Sequence, residues 1–184
     1  MLNTNCEAAM EMRDLKTGIS IPECIISEPK LQRVIGFNYF YHEETNIFED
    51  DALRSVRRIT PKIYEEYKRI YTTENTPALL VRFLDLPESK MYTIQVGFKI
   101  EKGLKVETNA KIEKIKSTVV AGILVWGTNW SVPKSYKPLS RFIKENDYEE
   151  TNEWREWHIY AEDDYSKNNI TWVQRIIIKK EKIT

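Results

Sequence analysis

Glu156, His158 and Tyr160 alternate along Trp154 to Ala161, a run with the composition of a β-strand. Alternate side chains of an extended chain point the same way, so a carboxylate, an imidazole and a phenol stand in a row. Turned into a cleft, that row could hold a cation. It could also do hydrolysis, with Glu156 as a base of raised pKa activating water and Tyr160 orienting the substrate. A buried carboxylate needs a partner or it takes up a proton, and His158, Tyr160 or a ligand cation could each be that partner. The competing arrangement is a solvent-facing edge, with Trp157 and Ile159 supplying the core behind it.

The chain has 5 tryptophans, all in its second half: Trp126, Trp130, Trp154, Trp157 and Trp172. Aromatic faces stack on flat molecules or hold cations, at roughly 0.5–2 kcal/mol per contact. Trp126 ends a strand and opens toward a loop, which places it at a pocket, whereas Trp157 and Trp172 read as core. Trp130, in the following loop, fits either. In the first half Phe37, Tyr39 and Tyr41 alternate and offer an opposite wall, with Asn38 and Phe40 pointing elsewhere. Tyr92 begins a strand that could reach the same cleft. For each of these four, core packing is the competing role.

Other chemistries lack their residues. With 2 histidines, His42 and His158, and no cluster with Cys6 or Cys24, nothing asks for a metal or another cofactor. There is no Gly-rich phosphate loop and no Gly-x-Ser-x-Gly elbow. The acidic turn Glu162-Asp163-Asp164 lacks the spacing of a calcium loop.

The elements that must position these groups come from periodicity. Gly18 to Ile26, broken by Pro22, is expected as an edge strand or two short pieces, and further strands over Leu31–Tyr41, Leu79–Leu86 and Tyr92–Ile100. In the last of these Tyr92, Ile94, Val96, Phe98 and Ile100 share one face. A helical region spans Asn46–Tyr71, with Thr60-Pro61 as its start signal. A turn follows at Leu86–Lys90, and Glu101-Lys102-Gly103 reads as a break. Then strands at Ile112–Lys116 and Thr118–Trp126, a helix over Ser135–Glu145, and strands at Trp154–Ala161 and Ile170–Lys180 repeat the order. Strand, strand, helix, strand, strand occurs twice. The reading is one α+β domain over 18–184 after a flexible lead of 1–17, with halves at about 18–103 and 104–184. Each half makes an antiparallel sheet with one helix, and the two pair about a pseudo-two-fold axis that leaves a cleft.

Lys plus Arg and Asp plus Glu each number 28, so the basic excess of a nucleic-acid binder is absent and no direct nucleic-acid contact is expected. The run Arg54, Arg57, Arg58 and Lys62 is diluted by Asp50, Asp51, Glu65 and Glu66 and reads as a solvated helix face. No apolar stretch approaches a membrane span, and residues 1–14 lack a signal-peptide pattern. Two unpaired cysteines fit a reducing cytoplasm.

Ala121-Gly122-Ile123-Leu124-Val125-Trp126-Gly127 leads to a Ser/Pro loop and a Tyr/Leu/Phe helix. Ile159-Tyr160-Ala161-Glu162-Asp163 and Trp172-Val173-Gln174-Arg175-Ile176-Ile177 follow. This second half resembles the GyrI-like small-molecule-binding domain, which also serves as the effector-binding part of AraC-type and multidrug-responsive transcription regulators. The resemblance is specific over 118–180 and looser over the first half. It implies a duplicated strand-helix-strand-strand (SHS2-type) fold with a ligand groove at the junction. It further implies non-covalent binding of a bulky hydrophobic, often cationic, molecule by aromatic side chains and a buried acid. The family's acid stands two residues before the tyrosine of the Ile-Tyr strand. That position is His158 here, and Glu156 is the nearest acid on the same face. The ligand-binding set is then Glu156, His158, Tyr160, Trp126, Tyr39, Tyr41, Phe37 and Tyr92. Some stand-alone members are hydrolases of cyclopropane-containing natural products, which would cast Glu156 and Tyr160 as catalytic. Others resemble topoisomerase inhibitors, which would give the cleft a protein partner.

Overall fold

The computed structural model describes residues 12–13, 20–21, 24–71, 77–85, 91–101, 108–161 and 168–180. Most of the 1–17 lead, the turn expected at Leu86–Lys90, the break after Glu101 and the acidic turn at Glu162–Asp164 lie outside the described residues. In chain order the elements are β1 (Met12–Arg13), β2 (Ser20–Ile21), β3 (Cys24–Ile26), β4 (Lys30–Val34) and β5 (Phe37–Phe48). A 3-10 turn at Glu49–Asp51 leads into α1 (Ala52–Ile70), β6 (Leu79–Asp85), β7 (Met91–Ile100), β8 (Lys111–Ile115) and β9 (Thr118–Gly127). A second 3-10 stretch, Asn129–Ser135, precedes α2 (Tyr136–Glu145), β10 (Tyr148–Tyr160) and β11 (Ile170–Lys179). The molecule is α+β, a mostly antiparallel sheet carrying two helices. No helix among the described residues is long and apolar enough to cross a membrane.

β1 and β2 pair only with each other. The remaining strands form one 9-stranded sheet in the order β3-β9-β11-β10-β6-β7-β5-β8, with β4 also on β9. Outward from the central β10–β6 pair the sheet runs β11 then β9 on one side, and β7 then β5 on the other. At the rims, β3 and β4 lie on β9 and β8 lies on β5.

Both helices cover the same face of this sheet. Beneath α1, Ile59 and Ile63 pack on Val81, Ile94, Val96 and Phe98, all buried. Beneath α2, Leu139 and Ile143 pack on Ala121, Ile123, Val125 and Val173. Each such aliphatic side chain contributes about 1.5–3 kcal/mol by leaving water. Strand alternation sends the other set of side chains to the far face. There Phe37, Tyr39, Tyr41, Leu80 and Ile115 form a third cluster with Trp157. Beside it Glu153 Oε1 accepts from Arg82 Nε at 2.8 Å and from Arg155 Nε at 2.7 Å.

Several boundaries differ from the sequence reading, among them the start of β10, which is Tyr148 and not Trp154. α1 begins at Ala52, and Thr60 and Pro61 sit in its interior. Thr60 does not cap: its hydroxyl donates to the Val56 carbonyl one turn back at 2.7 Å. The continuous buried face Ser55, Ile59, Ile63 outweighs the hydrogen bond that Pro61 cannot make. The expected strand Leu31–Tyr41 is split at Ile35–Gly36, where β4 leaves for β9 and β5 begins. A Cβ at Gly36 would lie 2.7 Å from the Ile115 carbonyl oxygen, so only glycine permits this close approach to β8. β5 then continues to Phe48, through a bulge at Asn46 (φ 59°), where helix was expected.

Candidate functional site

A cavity of about 1430 Å³ lies on the helix-bearing face, between α1 and the segment Asn129–Tyr136. This exceeds the usual range for drug-sized ligands, roughly 300–1,000 Å³. Its floor is the central strand pair. The register sets Trp154 opposite Phe83, Glu156 opposite Val81 and His158 opposite Leu79, and all six side chains line the cavity. α1 contributes Val56, Thr60 and Tyr64, and the facing wall contributes Trp130, Val132 and Tyr136. Tyr92 and Arg175 close one end. The lining is aromatic and aliphatic with a few convergent polar groups, the usual character of an organic-ligand site.

Glu156 is the buried acid of this floor, at 7 % exposure. Its Oε1 accepts a hydrogen bond from the Tyr136 hydroxyl, and its Oε2 lies 3.8 Å from His158 Nε2. Burial holds its pKa above the ordinary carboxylate range, while the Tyr136 hydrogen bond and the Arg175 charge pull it back. Burial and the neighbouring Glu156 charge push the Tyr136 phenol upward, so it stays a donor. The His158 ring is steadied from behind by Thr171, whose Oγ1 is 3.4 Å from Nδ1.

At the other end Trp154 stacks on Phe83, centroids 4.8 Å apart, and meets Tyr92 edge-on at 5.2 Å. The buried Trp154 Nε1 and Asp85 Oδ1 have no hydrogen-bond partner among the described residues, and burial raises the Asp85 pKa. Arg175 Nε is 3.3 Å from Glu150 Oε2, an ion pair without hydrogen-bond geometry. Among the described residues no group of three or more His, Cys, Asp or Glu is placed to hold a metal ion.

The structure brings Glu156, His158, Tyr160 and Tyr92 to the cavity wall, with Tyr160 at the rim, 49 % exposed. It does not bring Phe37, Tyr39, Tyr41 or Trp126 there. Along β5 it is Phe40 that turns beneath α1, so its odd-numbered neighbours fall on the far face, where Tyr39 and Tyr41 stack on each other at 4.9 Å. Trp126 alternates with Val125, which packs under α2, and so faces away from the cavity. Trp130 lines it. Trp154, Tyr136, Asp85 and Arg175 are cavity residues outside the expected set. Extending the Glu156–His158–Tyr160 alternation back by two positions reaches Trp154. Tyr136 is 20 residues from Glu156 and carries no local signal for that contact.

No family model and no curated protein matches the chain by sequence. Solved structures do match in fold. The C-terminal domain of EcmrR superposes with a TM-score of 0.64 at 19 % identity, covering 83 % of this chain and 98 % of that domain. In the EcmrR–DNA complex the TM-score is 0.63 at 19 % identity over 83 % of this chain, which spans 57 % of the EcmrR chain. SAV2435, solved bound to tetraphenylphosphonium, matches with a TM-score of 0.61 at 12 % identity over 82 % of this chain and 94 % of that one. The chain therefore has the fold of the EcmrR C-terminal domain and of SAV2435.

Proposed function

We propose that this protein is a GyrI-like effector-binding module, built from two duplicated halves, that holds a bulky hydrophobic organic molecule non-covalently in the cavity where they meet. The mirrored strand order about β10–β6 supports the duplication. The observation that carries the binding reading is the cavity itself: about 1430 Å³ of ring-lined space with one buried carboxylate, Glu156, in its floor. Such a carboxylate favours a ligand cation, because a cation offsets the desolvation of the ionised acid. The fold likeness to a protein solved with tetraphenylphosphonium supports the same ligand class. Glu156, His158, Tyr160 and Tyr92 serve as contacts, with Trp154, Tyr136 and Tyr64 added. The role is that of a sensor or sequestering protein.

The hydrolase alternative has Glu156 activate water. One of its oxygens is already engaged by Tyr136, and Tyr160 stands at the rim rather than beside it, so binding is the better-supported role. Titration of the protein with tetraphenylphosphonium, followed by tryptophan fluorescence, tests it. Saturable quenching is expected, weakened about tenfold in Glu156→Gln by loss of one charge partner in a low-dielectric site. A flat response, or quenching indifferent to Glu156, contradicts the proposal.

A further inference from the structure

The largest ring in the cavity floor is already in use. Phe83 stacks on Trp154 with planes 11° apart, which leaves the indole one open face. The Arg175 guanidinium covers that face, with Cζ 4.5 Å from the ring centroid. The same carbon is 5.8 Å from the centroid of Tyr136. Glu150 tethers the group from behind, and the Arg175 side chain is only 14 % exposed. On the opposite wall Arg57 takes up the same relation to Trp130, at 5.6 Å. Both cavity tryptophans thus face a cation supplied by the chain.

We propose that Arg175 is a tethered occupant of the cavity that sets its charge selectivity, directing a ligand's cationic group away from Trp154 and favouring a neutral hydrogen-bonding group at that end. A ligand cation that sought Trp154 would have to displace a guanidinium that keeps both its ring contact and its ion pair, or lie beside it in a poorly solvated space. A neutral group meets no such opposition. It also finds two buried atoms without partners among the described residues, Trp154 Nε1 to donate and Asp85 Oδ1 to accept. A phenol, an amide or a phosphine oxide has the chemistry for one or both. This inference rests on the binding reading above and goes beyond it, since it assigns opposite preferences to two neighbouring parts of one cavity floor: cation toward Glu156 and His158, neutral polar group toward Trp154.

The test compares tetraphenylphosphonium with triphenylphosphine oxide, its neutral counterpart, on the full chain by isothermal titration. The quantity read is the ratio of the two affinities within each protein. In Arg175→Met the ratio is expected to move toward the cation by roughly tenfold, the scale of one desolvated cation–π contact. In Arg175→Lys, which keeps a charge on the same stem, it stays near wild type. Loss of packing alone would weaken both ligands together and leave the ratio unchanged, and that result overturns the proposal. The double variant Glu150→Gln/Arg175→Met also removes the carboxylate paired with Arg175 and must show the same shift. A ratio that returns to the wild-type value there assigns the effect to Glu150 and also overturns it. Failure of both probes to bind any of these proteins refutes the binding reading itself, and this inference with it.

Discussion

Tyr136→Phe removes one oxygen from the cavity, and its consequence depends on the charge of Glu156. The Tyr136 hydroxyl donates to Glu156 Oε1, and Glu156 is buried. A hydrogen bond to an ionised buried group is worth about 1.5–3 kcal/mol, and one between neutral groups about 0.5–1.5 kcal/mol. Burial raises the folded pKa of Glu156 above its unfolded value, so the folded state holds the proton more tightly. The cost of carrying Glu156 ionised is therefore absent below the unfolded pKa and grows as pH rises through the folded one. Removing the Tyr136 donor raises that pKa further. The variant should lose about 1.5–3 kcal/mol at a pH above the folded pKa, where Glu156 is ionised, roughly 3–12 °C in melting temperature for a chain of this size. The loss should shrink to the neutral-bond scale in acid, below the unfolded carboxylate pKa, where Glu156 is protonated. Urea unfolding at both pH values measures this directly. In a Glu156→Gln background the penalty should be small and independent of pH. A penalty of equal size at both pH values in the wild-type background refutes the reasoning, because it would place the lost energy in packing rather than in the carboxylate.

Other outcomes follow from the same geometry. Glu153 bridges Arg82 and Arg155 on the far face, and their side chains are 6 % and 3 % exposed. Glu153→Gln should therefore cost about 3–5 kcal/mol in urea unfolding, the scale of a broken buried ion pair. Burial opposes ionisation of Glu153, but the two guanidiniums prevail and hold its pKa below the ordinary range. Its contribution should persist through neutral pH and fade only as acid approaches that lowered value. Ile63→Ala under α1, at a fully buried site, should cost about 2–5 kcal/mol by the same assay. Gly97→Ala would set a Cβ 1.9 Å from the Phe40 carbonyl oxygen, a backbone atom that cannot swing aside, and circular dichroism should show loss of the native sheet.

Much of the sheet was legible because its strands bury one face completely. Tyr92, Ile94, Val96, Phe98 and Ile100 alternate so strongly that one register survives, and four of the five form core beneath α1. Helix onset was less legible, because Thr60-Pro61 carries the local grammar of a start while the buried stripe begins well upstream. β5 shows a different limit. Phe37, Tyr39 and Tyr41 are aromatic, and so is Phe40 on the other parity. Nothing local tells which set faces the helices, and β5's pairing with β7 decides it by aiming Phe40 into the core beneath α1. The polar row of β10 was legible as a row, but its partners were not. Tyr136 and Arg175 reach it from another helix and another strand, and contacts of that kind are fixed by tertiary packing.

The claim at the centre is that an organic ligand occupies the space between α1 and the Asn129–Tyr136 wall, over Trp154 and Glu156. A crystal structure of the protein grown with saturating tetraphenylphosphonium tests it most directly. Density for the cation is expected in that cavity, in contact with Glu156 and with the Arg175 guanidinium still seated on Trp154. Density only at the outer surface, or a cavity empty at saturation, would contradict it.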